Sequence, residues 1–282
     1  MVNVLEIQDV IGRFGNHLLT LINAIYLAKK YQNVKVDYLF FLNQNGKYYF
    51  PQLFSIAENN FVASIHNPKN HEIVKRTLTG YMVFHISSYL NYDPIIDYNL
   101  YLKISKSLNY CITNVIKNSS NLKNTKLNYD PNQTLFCHLK YTDNLLQNLH
   151  IKYAILPINL YLKIFSDYPQ LKRMVMLTDN PKCLYLTDLK NKLKGHGFQL
   201  EIISNKSLYD DFIILSEAKN VLLDLSTFTW TSHLISSKKQ NIIMWDQFYG
   251  PFLSAVKNYA NITLFDIQDM KKNYSIFKLN NY

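Results

Sequence analysis

The apolar positions of this chain switch between the two-residue rhythm of strands and the 3.6-residue rhythm of helices. An apolar run over residues 2–7 predicts a strand, and Leu18, Leu19, Ile22, Ile25 and Tyr26 fall at helical spacing within residues 18–31. Residues 34–41 alternate and then run apolar, which predicts a second strand, and 43–47 read as a turn. Strands are expected at 61–65 and 81–86, with a loop at Asn91-Tyr92-Asp93-Pro94. From Leu100 onward, Ile104, Leu108, Cys111, Ile112 and Val115 share one helical face, and that helix should close the N-terminal half. Residues 117–132 are rich in Asn, Lys and Ser, lack periodicity and end in Asp130-Pro131, so they read as a linker. The domains expected are 1–125 and 126–282.

The second half repeats strand and helix. Strands are expected at 135–139, 174–177, 200–203, 221–224 and 242–245, and helices at 158–168, 184–194, 208–218 and 226–235. Pro157 suits a first helical turn, Gly195 or Gly197 a helix end, and Asp179 or Asn180 before Pro181 a helix cap. Repeated strand-helix units imply an α/β fold whose parallel sheet carries helices on both faces. Ligands of such sheets sit beyond the carboxyl ends of the strands.

Composition narrows the class. With 282 residues, 48% hydrophobic and 18% charged, the chain is an ordered globular protein. No stretch reaches the length of a membrane span and no signal-like segment opens the sequence, so a cytoplasmic protein is expected. Cys111, Cys137 and Cys183 fit neither a disulfide framework nor a zinc pattern and are expected to be small core residues. The net charge of +10 favours an anionic partner without choosing among nucleotide, nucleic acid and a peripheral membrane surface.

Four stretches carry candidate chemistry. Ile11-Gly12-Arg13-Phe14-Gly15-Asn16 lies between the first strand and helix, where a glycine turn brings backbone near an anion and Arg13 adds a planar fork for phosphate oxygens. The alternative is a tight turn with a solvated arginine. At Phe136-Cys137-His138-Leu139-Lys140-Tyr141-Thr142-Asp143 a strand runs into a histidine, a cation and an acid, and a hydrogen-bonded structural histidine is the alternative there. Leu177-Thr178-Asp179-Asn180-Pro181 is a third strand end. The fourth is Leu223-Asp224-Leu225-Ser226-Thr227-Phe228-Thr229-Trp230, whose hydroxyls can cap a helix or meet a phosphate.

Taken in order, these stretches resemble the fucosyltransferase superfamily of bacterial-type alpha-1,2-fucosyltransferases and protein O-fucosyltransferases. Gly12-Arg13-Phe14-Gly15-Asn16-His17 is similar to its Gly-Arg-(Phe/Leu)-Gly-Asn-Gln, and His138-Leu139-Lys140-Tyr141-Thr142-Asp143 to its His-x-Arg-x-Gly-Asp. Thr178-Asp179-Asn180 resembles a later Ser/Thr-Asp-Asp/Asn. The segment from Asp211-Phe212-Ile213-Ile214-Leu215-Ser216 to Ser226-Thr227-Phe228-Thr229-Trp230 resembles Asp-Phe-x-x-Met-Ser followed by Ser-Ser/Thr-Phe-Ser-Trp-Trp. The resemblance implies a GT-B-like architecture of two Rossmann-like domains facing a cleft, with the acceptor near the first and the nucleotide on the second. It further implies GDP-fucose as donor substrate, a glycan acceptor, inversion, and no metal or other cofactor.

The candidate site residues on this reading are Arg13, Lys140, Asp143 and His17 as catalytic, Asp143 and His17 by their position in the two facing loops, and Gly12, Gly15, Asn16, His138, Asp179, Ser226, Thr227 and Phe228 as donor-binding. No Asp-x-Asp pair stands ready to hold a divalent ion, so Arg13, Lys140 and the helix start at Ser226 and Thr227 are left to offset the charge on departing GDP. The acceptor proton would pass to His17, to Asp143 or to the leaving phosphate. Lys140 stands where the family has arginine, which keeps the charge and loses the bidentate grip. His17, Thr142 and Thr231 also depart from the pattern. The competing readings are a related enzyme using another nucleotide sugar, a catalytically weakened nucleotide or sugar binder, and a basic nucleic-acid binder, the last opposed by scattered lysines and no recognised module.

Overall fold

A computed structural model describes residues 3–7, 34–37, 72–77, 97–109, 129–139, 156–204, 208–224, 226–245 and 260–265, together with Phe14, Gly15, Leu18, Leu19, Ile22, Ile25, Tyr26 and Lys29. These fall into two compact units, Met1–Ser119 and Ser120–Tyr282.

In the first unit, β1 (Asn3–Ile7) lies between β2 (Val34–Asp37) and β3 (Glu72–Thr77), parallel to both. The expected strands at 61–65 and 81–86 lie outside the described residues. β3 was not expected, because Glu72, Lys75, Arg76 and Thr77 interrupt the apolar pattern that marks a strand. Phe14, Leu18, Leu19, Ile22, Ile25 and Tyr26 are helical and buried, and Lys29, also helical, is exposed. Phe14 and Gly15 are helical and Phe14 is fully buried, so the helix has begun within the stretch expected to be a turn; residues 11–13 and 16 lie outside the described residues. Helix α1 (Tyr98–Ser107) starts at Asp97, whose carboxylate accepts from Leu100 N–H at 2.9 Å. The Asp97 N–H donates to Tyr26 Oη at 2.8 Å, and the Tyr26 and Tyr101 rings pack 5.6 Å apart, so α1 is pinned to the first helix.

The second unit is a six-stranded, all-parallel sheet. Its strands are β4 (Thr134–Leu139), β5 (Arg173–Thr178), β6 (Gln199–Ile203), β7 (Asn220–Leu222), β8 (Asn241–Trp245) and β9 (Asn261–Phe265). Their order across the sheet is β6-β5-β4-β7-β8-β9. Counted from β4 this is 3-2-1-4-5-6, the doubly wound order whose direction reverses between its first and fourth strands. The helices are α2 (Ile158–Asp167), α3 (Leu184–Gly195), α4 (Leu208–Glu217) and α5 (Thr227–Ile235). Leu135, Cys137, Leu139, Met174 and Met176 pack with Leu160, Ile164, Phe165, Leu186 and Leu189 of α2 and α3. Strand side chains alternate, so Phe136 and His138 belong to the opposite face, where α4 packs against β4 and α5. Cys137 and Cys183 are buried and free, in keeping with small core residues; Cys111 lies outside the described residues.

Two helix starts differ from expectation. Cys183 is the N-cap of α3, and Asp179 and Asn180 precede a turn at Pro181 and Lys182 rather than capping the helix. Pro157 is the N-cap of α2 rather than part of its first turn. Gly197, at φ +81°, ends α3 in the left-handed region, and Phe198 N–H returns to Leu193 O at 2.9 Å. β9 was also not expected.

An asparagine ladder fixes the register at the amino edge of the sheet. Asn261 Nδ2 donates to Asn241 Oδ1 at 2.8 Å, and Asn241 Nδ2 to Asn220 Oδ1 at 2.7 Å. Asn220 Nδ2 in turn donates to the carbonyls of Pro131 at 2.7 Å and Thr134 at 3.1 Å. Asn241→Ala removes both side-chain bonds in the middle of the ladder and should cost about 1 kcal/mol in this partly exposed setting. Urea unfolding would show the loss; an unchanged midpoint would mean that water replaces the amide.

Candidate functional site

The carboxyl ends of β4 and β7 meet at the reversal point. β4 supplies His138, one residue beyond Cys137, which pairs with Leu222 at the end of β7. The chain leaving β7 supplies Asp224 and then Ser226, the N-cap of α5. The Ser226 hydroxyl accepts from Thr229 N–H at 3.3 Å, the ordinary capping bond.

Asp224 is the centre of the cluster. Its Oδ1 accepts from Ser226 N–H at 3.1 Å, from the Ser226 hydroxyl at 2.6 Å and from the Thr229 hydroxyl. Its Oδ2 lies 3.6 Å from His138 Nδ1, an ion-pair distance just beyond a normal hydrogen bond. The two side chains are 8% and 22% exposed. Burial alone would raise the Asp224 carboxyl, but the His138 ring and the two hydroxyls outweigh it and hold the group below the usual carboxylate range. The His138 ring packs on Phe228 at 4.8 Å, and Phe228 meets Phe212 of α4 edge-on at 5.5 Å. An aromatic wall from α4 and α5 therefore backs the histidine.

This geometry redistributes the donors expected at the helix start. The Ser226 hydroxyl has one proton, and at 2.6 Å it goes to Asp224. The Thr229 N–H is already taken by Ser226, so an anion at the start of α5 would have to meet the backbone N–H groups ahead of it. The Asp224 charge lies beside the same helix start, where it is stabilised by the dipole and opposes a second anion. The neighbouring helix α4 carries Asp210 and Asp211 in its first turn, both buried. Asp210 Oδ1 has no hydrogen-bond partner, and desolvation raises that carboxyl.

Of the expected site residues, His138, Ser226 and Phe228 come together at the reversal point, with Thr227 as the first residue of α5. Asp179 is exposed beyond the end of β5. Gly15 is buried in the first helix of the other unit. Gly12, Arg13, Asn16, His17, Lys140 and Asp143 lie outside the described residues. Asp224 and Thr229 were not among the expected site residues. Their signal was an acid two residues before a Ser cap and five before a Thr, a spacing that lets one carboxylate oxygen collect both hydroxyls. Among the described residues no group of three His, Cys, Asp or Glu is placed to hold a metal ion, and no helix is long and apolar enough to cross a membrane.

Fold and site together define an α/β protein with a doubly wound parallel sheet and a histidine-carboxylate-hydroxyl cluster at its reversal point. No protein-family model matches the chain, and no curated protein sequence matches it. Solved structures similar to it include POFUT1 in complex with GDP, at TM-score 0.41 and 10% identity over 83% of this chain and 94% of that one. POFUT1 in complex with GDP-fucose aligns at TM-score 0.40 and 9% identity, over 83% and 93% of the two chains. E. coli heptosyltransferase WaaC with ADP aligns at TM-score 0.39 and 12% identity, over 94% and 93%.

Proposed function

We propose that this protein is a nucleotide-sugar-dependent glycosyltransferase that moves fucose from GDP-fucose to a glycan hydroxyl, with inversion and without a metal ion. The observation that carries the reading is the convergence of His138 from β4 with Ser226, Thr227 and Phe228 of α5 at the reversal point of a 3-2-1-4-5-6 sheet. Those residues belong to two of the motifs that carry the family resemblance. In this reading the nucleotide lies over the carboxyl ends of β4 and β7, against the aromatic wall, with a phosphate at the first-turn N–H groups of α5. Arg13 and Lys140 supply positive charge to the leaving diphosphate, and His17 or Asp143 takes the acceptor proton. A second reading, a nucleotide or sugar binder with weakened turnover, is favoured by the Asp224 charge beside that helix start.

The test combines binding with turnover. GDP should raise the melting temperature where UDP and DNA do not, and GDP should be released from GDP-fucose in the presence of an accepted glycan. Lys140→Ala should lose about 3 kcal/mol of transition-state stabilisation, the scale of one preorganised charge-stabilising group. Lys140→Arg should retain the rate. Equal turnover in wild type and both variants would remove Lys140 from the mechanism, and GDP binding without turnover in any of them would leave the binder reading.

A further inference from the structure

We propose that Asp224 is a positioning residue that fixes the tautomer of His138, holding the proton on Nδ1 and leaving the Nε2 lone pair to accept from a ligand N–H or O–H. The His138 side chain is 8% exposed, and its buried Nδ1 has no hydrogen-bond partner, with Asp224 Oδ2 standing 3.6 Å away. A carboxylate oxygen beside a ring nitrogen favours a proton on that nitrogen, and a neutral imidazole then has its lone pair on the other.

Asp224 itself cannot turn to offer a different face. Its Oδ1 is tied by Ser226 N–H, the Ser226 hydroxyl and the Thr229 hydroxyl, all belonging to the start of α5. Phe228 packs at a tilt against the ring from the same helix. One carboxylate thus couples the end of β4 to the first turn of α5, with one oxygen serving each element.

The consequence for recognition rests on the nucleotide-sugar reading. Under it, the Nε2 lone pair accepts from an N–H of the base or an O–H of the ribose, so His138 discriminates by demanding a donor. The tautomer assignment needs only the geometry of His138 and Asp224.

The experiment is long-range 1H–15N NMR on the full chain labelled with 15N-histidine, at about pH 8.5 and again at about pH 9.5. His138 is assigned by the resonances lost in His138→Phe. Wild type should show a protonated-type Nδ1 and a lone-pair-type Nε2. Asp224→Asn can turn an amide N–H toward Nδ1 and should move the proton to Nε2; Asp224→Ala removes the acceptor and should do the same. A wild-type His138 with its proton on Nε2 overturns the assignment, and so does a tautomer unchanged in both variants. If the variants fail to fold, the wild-type spectrum decides alone. GDP added to wild type should then shift the Nε2 resonance. A Nδ1–H tautomer with no response to GDP leaves the role of Asp224 standing and counts against the nucleotide reading instead.

Discussion

Replacing Gln240 by alanine is expected to destabilise the protein by about 3 kcal/mol, on the scale of three buried polar groups losing their partners at roughly 1 kcal/mol each. Gln240 is fully buried immediately before β8. Its Nε2 donates to Leu215 O and Ala218 O, both at 2.8 Å, and its Oε1 lies 2.9 Å from His233 Nδ1. Both amide protons are committed, so Oε1 is the acceptor and Nδ1 of His233 carries the proton. The two carbonyls lie at the end of α4, where a helix leaves such groups without partners, and His233 is in the last turn of α5. One side chain therefore closes the end of α4 and joins it to the last turn of α5 beside β8. Gln240→Glu should not restore the loss, because a carboxylate has no donors for the carbonyls and carries a charge into a buried place. Urea unfolding with an unchanged slope reports the cost, and a loss well under 1 kcal/mol would show that water takes over the bonds.

Asp224→Ala should cost on the order of 2–3 kcal/mol, because a charged acceptor of two hydroxyls and a backbone N–H is removed from a site only 22% exposed. The same group gives stability a pH dependence of defined sign. Its carboxyl is held below the usual range in the folded chain, so the unfolded chain binds the proton more readily. Its contribution is fully present above the unfolded carboxylate value of about 3.9 and is lost as the pH falls through the lower folded value. Wild type should therefore lose stability on acidification more steeply than Asp224→Asn between about pH 5 and pH 2. Parallel acid profiles for the two proteins would show that the carboxylate does not feel the folded state.

How much of this was legible depends on which interactions form an element. The strands from β4 to β8 announce themselves because a parallel sheet buried on both faces needs continuous apolar runs, as in Thr134–Leu139 and Arg173–Thr178. β3 did not, since Glu72, Lys75 and Arg76 break any such run and its pairing with β1 comes from the backbone. The helix of Leu184–Gly195 was legible, but its start was not. Asp179 and Asn180 have the chemistry of a cap, and only the turn after β5 carries the helix start past them to Cys183. The cap at Ser226 was legible because its acceptor and donor are three residues apart, within reach of any helix start.

Local periodicity and capping chemistry specify the repeating strand-helix units, the parallel sheet they require, and the candidate positions of His138 and Ser226 at strand and helix ends. Packing between distant segments set β7 beside β4 rather than β6, which creates the reversal point. It likewise decided that Asp224 meets His138 across a separation of 86 residues, and that the Ser226 proton goes to that carboxylate. Strand order and side-chain encounter between distant segments are set by how helices pack on the two faces of the sheet. The residues at either end of such a contact carry no local record of that packing.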